Sequence, residues 1–368
     1  MRRKLSVFVI SALFLAVADM STASTPIAIG SSCSKVQATS KIHGVDAMCT
    51  KLGRAQTWQV NTFSQLTSQW VDIKKIELSK PVPTVSFQVM YSPTVNKEMA
   101  NKILAALTDA SRFWQDRYLP KTPMPILFLT EKDRAWYLST LTSIGQNQQE
   151  LDDKSSAFDE EVAHNGNKAN AAGLAGRSDD QYFQFFIGTG TTGTNLYSLQ
   201  VAAHEYTHAG QGGFEDPSPF NYAPCWMIEG SAVYYGGALA SKTTSDLKFF
   251  RNVDVWSKQQ QNFPGLAYEP KIGWSQFIDQ NGPRDTNPNY GATCGVNGTY
   301  QVGSIATSYL YSLKGNQGIL DFLDLSASLR DYKAAAAQVY GISWEALRDA
   351  MANYIRLVVA QTPFFQVN

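Results

Sequence analysis

The five residues His204-Glu205-Tyr206-Thr207-His208 constrain this chain more than any other stretch, because their spacing has chemical meaning only on a helix. There, two imidazoles four positions apart project from one face and can hold a single metal ion between them. Glu205 lies beside them and is left free to move protons, as the carboxylate of a hydrolytic zinc site does. The chain has 4 His in 368 residues. A composition this poor in histidine would produce H-E-x-x-H by chance in roughly one chain in a thousand, so an ordinary amphipathic helix with two unrelated histidines is the weaker reading.

A third ligand is needed, and the segment Pro224-Cys225-Trp226-Met227-Ile228-Glu229-Gly230-Ser231-Ala232-Val233-Tyr234-Tyr235-Gly236 offers one acidic residue in an otherwise apolar run. An unpaired Glu229 would be costly to bury there. A helix packed behind the first would aim its carboxylate at the two imidazoles, giving three protein ligands and leaving a fourth position for water.

H-E-x-x-H followed by E-x-x-A resembles the gluzincins, the zinc metallopeptidase clan of thermolysin and the zinc aminopeptidases; the matching residues are His204, Glu205, His208, Glu229 and Ala232. The resemblance implies zinc as the metal, with His204, His208 and Glu229 as its ligands and Glu205 as general base and then general acid. In the aminopeptidase branch a Y-x-x-G stretch opens a helix and carries a tyrosine that stabilises the oxyanion. Tyr300-Gln301-Val302-Gly303 is similar, which gives Tyr300 that role. One position departs from the thermolysin pattern. Four residues after the glutamate ligand the clan carries an acidic residue that supports a ligand histidine, and here that position is Val233. The supporting acceptor must come from elsewhere, with a backbone carbonyl, Glu215 and Asp216 among the candidates.

The chain opens with Arg2-Arg3-Lys4, a short apolar stretch from Leu5 to Val17, and small residues at Ser21-Thr22-Ala23. This is the pattern of a signal peptide over residues 1–23, so the mature protein is expected to be secreted. No later run is long and apolar enough for a membrane span. With 31 basic and 31 acidic side chains, there is no electrostatic case for a nucleic-acid partner. An even count of 4 Cys in an exported chain implies disulfides, for which three pairings exist. Cys33 with Cys49 would clamp a local hairpin. Cys225 with Cys294 would tie the loop before Tyr300 to the helix of Glu229, and this pairing is favoured.

Residues 24–84 read as a small two-cysteine module followed by a linker that ends in Lys80-Pro81-Val82-Pro83. The main domain is expected over 85–368. Val85–Tyr91 alternates as a strand, Asn96–Tyr118 has helical spacing, and Pro125–Leu129 is a buried strand. Residues 145–180 are acidic and polar and read as a long solvated excursion. Gln181–Gly188 follows as an aromatic strand, which in zincins would be the substrate-receiving edge and otherwise an ordinary core strand. Beyond Tyr300 the pattern is helical. The expected fold is α+β and zincin-like: a small twisted sheet with helices, then an all-helical lower half.

Together these features imply a secreted zinc-dependent peptidase acting on a peptide or protein substrate. The alternative is a secreted, non-catalytic zinc-binding or surface-interaction protein that keeps the zincin fold. Retention of Glu205 favours the enzyme.

Overall fold

The computed structural model describes residues 28–42, 44–84, 87–165, 172–175, 182–187, 196–212, 218–256, 266, 269–287, 294 and 298–363. The leader assigned to residues 1–23 lies outside them, as do Glu215 and Asp216.

The polar, cysteine-flanked start of the chain pairs with itself. Strands β1 (Thr39–Ile42), β2 (Val45–Leu52) and β3 (Ala55–Val60) form an antiparallel meander in sequence order. Gly44 and Gly53 turn the chain at φ 82° and 59°, angles that side-chain-bearing residues rarely adopt. The Cys33–Cys49 disulfide is present, and Cys49 pairs with Trp58 across the ladder.

Helix α1 (Thr62–Ser79) follows, its first N–H groups capped by Asn61 Oδ1, which accepts from Phe63 and Ser64 at 3.1 Å. Only residues 80–84 are the extended linker expected from the prolines. The helix is masked in the sequence because its buried face mixes Leu66 and Ile73 with Gln69 and Glu77. These polar groups are satisfied inside: Gln69 Nε2 donates to the Ser308 carbonyl at 2.8 Å, and Lys74 pairs with Glu77 at 2.7 Å.

The second sheet has the order β4-β5-β7-β6. β4 (Phe87–Tyr91), helix α2 (Lys97–Trp114) and β5 (Met124–Leu129) form a parallel strand, helix, strand unit. After α3 (Arg134–Ser143) comes α4 (Gln148–Asn165), then β6 (Ala172–Ala175) and β7 (Tyr182–Phe186). The described residues of the stretch 145–180 are thus largely regular rather than a loop. Asp152, Asp153, Asp159 and Glu160 occupy exposed positions of α4, where Asp159 pairs with Arg134 at 2.8 Å, while Phe158 turns inward onto Tyr137. Of the two readings of the aromatic strand at 181–188, the ordinary core strand is the one that fits β7. β7 runs parallel to β5 on one side and antiparallel to β6 on the other, so Tyr182, Phe183 and Phe185 pack in the interior and β6 is the edge on that side.

The remainder is helical: α5 (Leu196–Gly210), α6 (Ser218–Tyr222), α7 (Cys225–Ala240), α8 (Thr244–Trp256), α9 (Gly273–Gln280), α10 (Thr299–Leu329), α11 (Tyr332–Tyr340) and α12 (Trp344–Gln361). α10 is two helices joined at Gly315, whose φ of 62° and ψ of −163° break the hydrogen-bond ladder. α12 returns to the small sheet, where Gln361 Nε2 donates to Thr50 Oγ1 at 2.9 Å and to the Val60 carbonyl at 2.8 Å. The result is a mixed α/β fold, mostly helical with two small sheets. No helix among the described residues is long and apolar enough to cross a membrane.

Candidate metal centre

α5 is fixed on its sheet side by an aromatic contact and by one buried hydrogen-bond chain. Tyr206 stacks on Phe183 of β7 with centroids 6.0 Å apart. The Trp114 indole N–H donates to Thr207 Oγ1 at 3.0 Å, and that hydroxyl donates to the Ala203 carbonyl at 2.8 Å. Near the helix end, Arg117 Nε donates to the Gly210 carbonyl at 2.9 Å. Because Tyr206 faces the sheet, helical geometry turns His204 and His208 away from it together.

α7 crosses behind them, and two glycines permit the approach. A Cβ on Gly236 would lie 2.8 Å from the Gln200 carbonyl oxygen of α5, and one on Gly230 would lie 2.1 Å from Gly303 Cα of α10. Between these contacts Glu229 reaches the two imidazoles. Its Oε2 lies 3.4 Å from His204 Nε2 and 3.3 Å from His208 Nε2, and the two Nε2 atoms are 3.1 Å apart.

Three donor atoms at these separations outline one face of a tetrahedron. A tetrahedral zinc with ligands at about 2.0–2.1 Å would have edges of about 3.3–3.4 Å. The donor set of two imidazoles and one carboxylate suits the same ion. Glu229 Oε2 is buried and has only the two imidazole Nε2 atoms near it, so once those nitrogens are unprotonated the carboxylate needs a cation to meet it. These residues therefore fit a bound divalent metal, and they are the group of possible metal ligands found among the described residues.

The electrostatics follow from the same closeness. Burial disfavours charge on both groups, yet the pairing outweighs it: with Glu229 and then Glu205 alongside, the His208 ring is raised to about 9. Glu229, facing His208 and His204, is held well below the usual carboxylate range.

The other expected site residues surround this centre. Glu205 is half-buried on α5, near enough to His208 to favour its charged form. The Tyr300 ring stacks beside His204 at 5.8 Å with the planes 26° apart. Phe220 of α6 packs near His208 at 5.7 Å. The Cys225–Cys294 disulfide joins the first residue of α7 to the segment before α10, so neither sulfur competes for the metal.

Gln211 Oε1 lies 2.9 Å from His208 Nδ1, whereas Glu215 and Asp216, the acidic candidates for supporting a ligand histidine, lie outside the described residues. None of the sequence motifs singles out Gln211, although its i+3 spacing from His208 is the signal that would have found it. Comparison of the chain with protein-family profiles, curated proteins and solved structures gives no match.

Proposed function

We propose that this protein is a secreted zinc-dependent peptidase of the gluzincin type, with a zincin-like main domain. The observation that carries the proposal is the convergence of His204 Nε2, His208 Nε2 and Glu229 Oε2 within 3.1–3.4 Å of one another, beside a glutamate that is not part of the triad. Enclosure of all 4 Cys in disulfides supports an oxidising, extracellular or envelope location.

Zinc held there would supply a Lewis acid that activates water and polarises a scissile carbonyl. Glu205 accepts the proton that the attacking water gives up and returns it to the departing amine. That sequence requires a carboxylate that is not spent on the metal. Tyr300, beside His204, donates a hydrogen bond to the negative charge that develops on the carbonyl oxygen. His204, His208 and Glu229 would hold the ion, and their positions on two tightly crossed helices would fix where it sits.

The test compares zinc content and cleavage of a peptide library in wild type, Glu205→Gln and Tyr300→Phe. Glu205→Gln should keep zinc and lose about 10²-fold or more in rate. Tyr300→Phe should lose on the order of 10²-fold with substrate binding little changed. Equal cleavage by Glu205→Gln and wild type would overturn the mechanism. A zinc-loaded wild type that cleaves nothing in the library would point to the non-catalytic alternative.

A further inference from the structure

The two nitrogens of His208 face different partners. Nε2 faces His204 and Glu229, while Nδ1 meets Gln211 Oε1 at 2.9 Å. The other end of that amide is fixed from α7. Gln211 Nε2 donates to the Ile228 carbonyl at 2.8 Å and contacts Ser231 Oγ at 2.7 Å. A backbone carbonyl can only accept, so Nε2 must face Ile228 and Oε1 must face the imidazole. In the neutral ring Nδ1 then carries the proton, which leaves the Nε2 lone pair directed at the metal position.

Gln211 is fully buried. Its amide meets protein partners on both sides, so removing it would leave buried polar groups unpaired. The Ile228 carbonyl belongs to the peptide unit that leads into Glu229. One side chain therefore connects a histidine on α5 to the backbone of the glutamate on α7.

We infer that Gln211 is a positioning residue of the metal centre, an amide strut that sets the tautomer and ring plane of His208 and its register against Glu229. It does so with a neutral group, where the clan's pattern uses an acidic residue to support a ligand histidine. This assignment rests on the metal-binding reading of the triad.

The experiment measures zinc affinity by competition with a chromophoric chelator, the visible spectrum of the cobalt-substituted protein, and the melting temperature of the metal-free protein. Wild type, Gln211→Met and Gln211→Glu are compared. Both variants lose the donor to Ile228, and only Gln211→Glu keeps an oxygen facing His208. Zinc should bind about 10- to 100-fold more weakly to Gln211→Met, with a changed cobalt spectrum. Gln211→Glu should stay closer to wild type in both readouts, even where both variants melt earlier.

Equal weakening in the two variants would reduce Gln211 to a structural tie between helices, and no weakening in either would remove its role altogether. Should Gln211→Met fail to fold, Gln211→Asn, whose amide falls one methylene short of His208, takes its place, and an unaltered zinc affinity there overturns the assignment. Failure of the underlying metal reading is separately visible, as a wild type that binds no zinc or a His208→Ala variant that binds it as well as wild type.

Discussion

Gly230 and Gly303 meet backbone to backbone where α7 crosses α10. A Cβ on Gly303 would lie 1.9 Å from the Trp226 carbonyl oxygen and 2.6 Å from Gly230 Cα. Neither glycine takes a left-handed backbone angle, so what each position demands is the absence of a side chain. Glu229 immediately precedes Gly230, and Tyr300 lies one helical turn before Gly303. The crossing therefore sets the distance between a metal ligand and the proposed oxyanion donor.

Gly303→Ala should consequently separate the helices and cost about 3 kcal/mol or more, beyond the usual range for an overpacked core. Zinc affinity should fall with it, because Glu229 moves with α7. Gly237→Ala is the internal control: its Cβ would meet Phe250 at 3.5 Å, an ordinary contact. Removing a mid-helix glycine there should be neutral or stabilising by up to about 1 kcal/mol. Thermal melts and chelator competition on the two variants check both expectations.

Protons and metal should compete at His208. With the ring raised to about 9 in the metal-free protein, His208 holds a proton at neutral pH that the ion must displace. Apparent zinc affinity should then rise by about tenfold per pH unit from roughly pH 7 and level off near 9. The same shift acts on folding. Between the ordinary histidine value of about 6.5 and the folded value, the metal-free folded state binds more protons than the unfolded chain, so its stability falls as pH rises through that window. Calorimetric titrations in buffers of different ionisation enthalpy, with melts of metal-free protein across the range, read both effects.

The Cys225–Cys294 disulfide closes a span of 69 residues between its half-cystines. Replacing both by serine should cost about 4 kcal/mol in the chain-entropy picture. Because this bridge anchors the start of α7, it should also weaken zinc binding. The equivalent change at Cys33 and Cys49, in the small N-terminal sheet, should lower stability and leave zinc affinity unchanged. Equal effects of the two changes on zinc affinity would contradict the geometry.

His204, His208 and Glu229 were legible in the sequence because each carries a local signature. The histidines share a helical face at four-residue spacing, and the glutamate is the one acid in an apolar run. The pairings Cys33–Cys49 and Cys225–Cys294 were legible for a related reason, since chain proximity favoured the first and the position of Tyr300 the second. The strand, helix, strand unit at 87–129 followed from hydrophobic period alone.

Other features depended on partners distant in sequence. α1 hides its inward face behind Gln69 and Glu77, whose burial is tolerable only because the Ser308 carbonyl and Lys74 meet them. The edge position of β6 is a property of strand order, which no single strand encodes. Gln211 has the composition of a helix end, and only the carbonyl of Ile228 turns its oxygen towards His208. The sequence by itself determined which atoms could hold a metal, because ligand chemistry and helical spacing are local. Tertiary structure alone decided how those atoms converge and what orients them, because backbone approach at Gly230 and Gly303 and the direction of a buried amide depend on groups brought together by the fold.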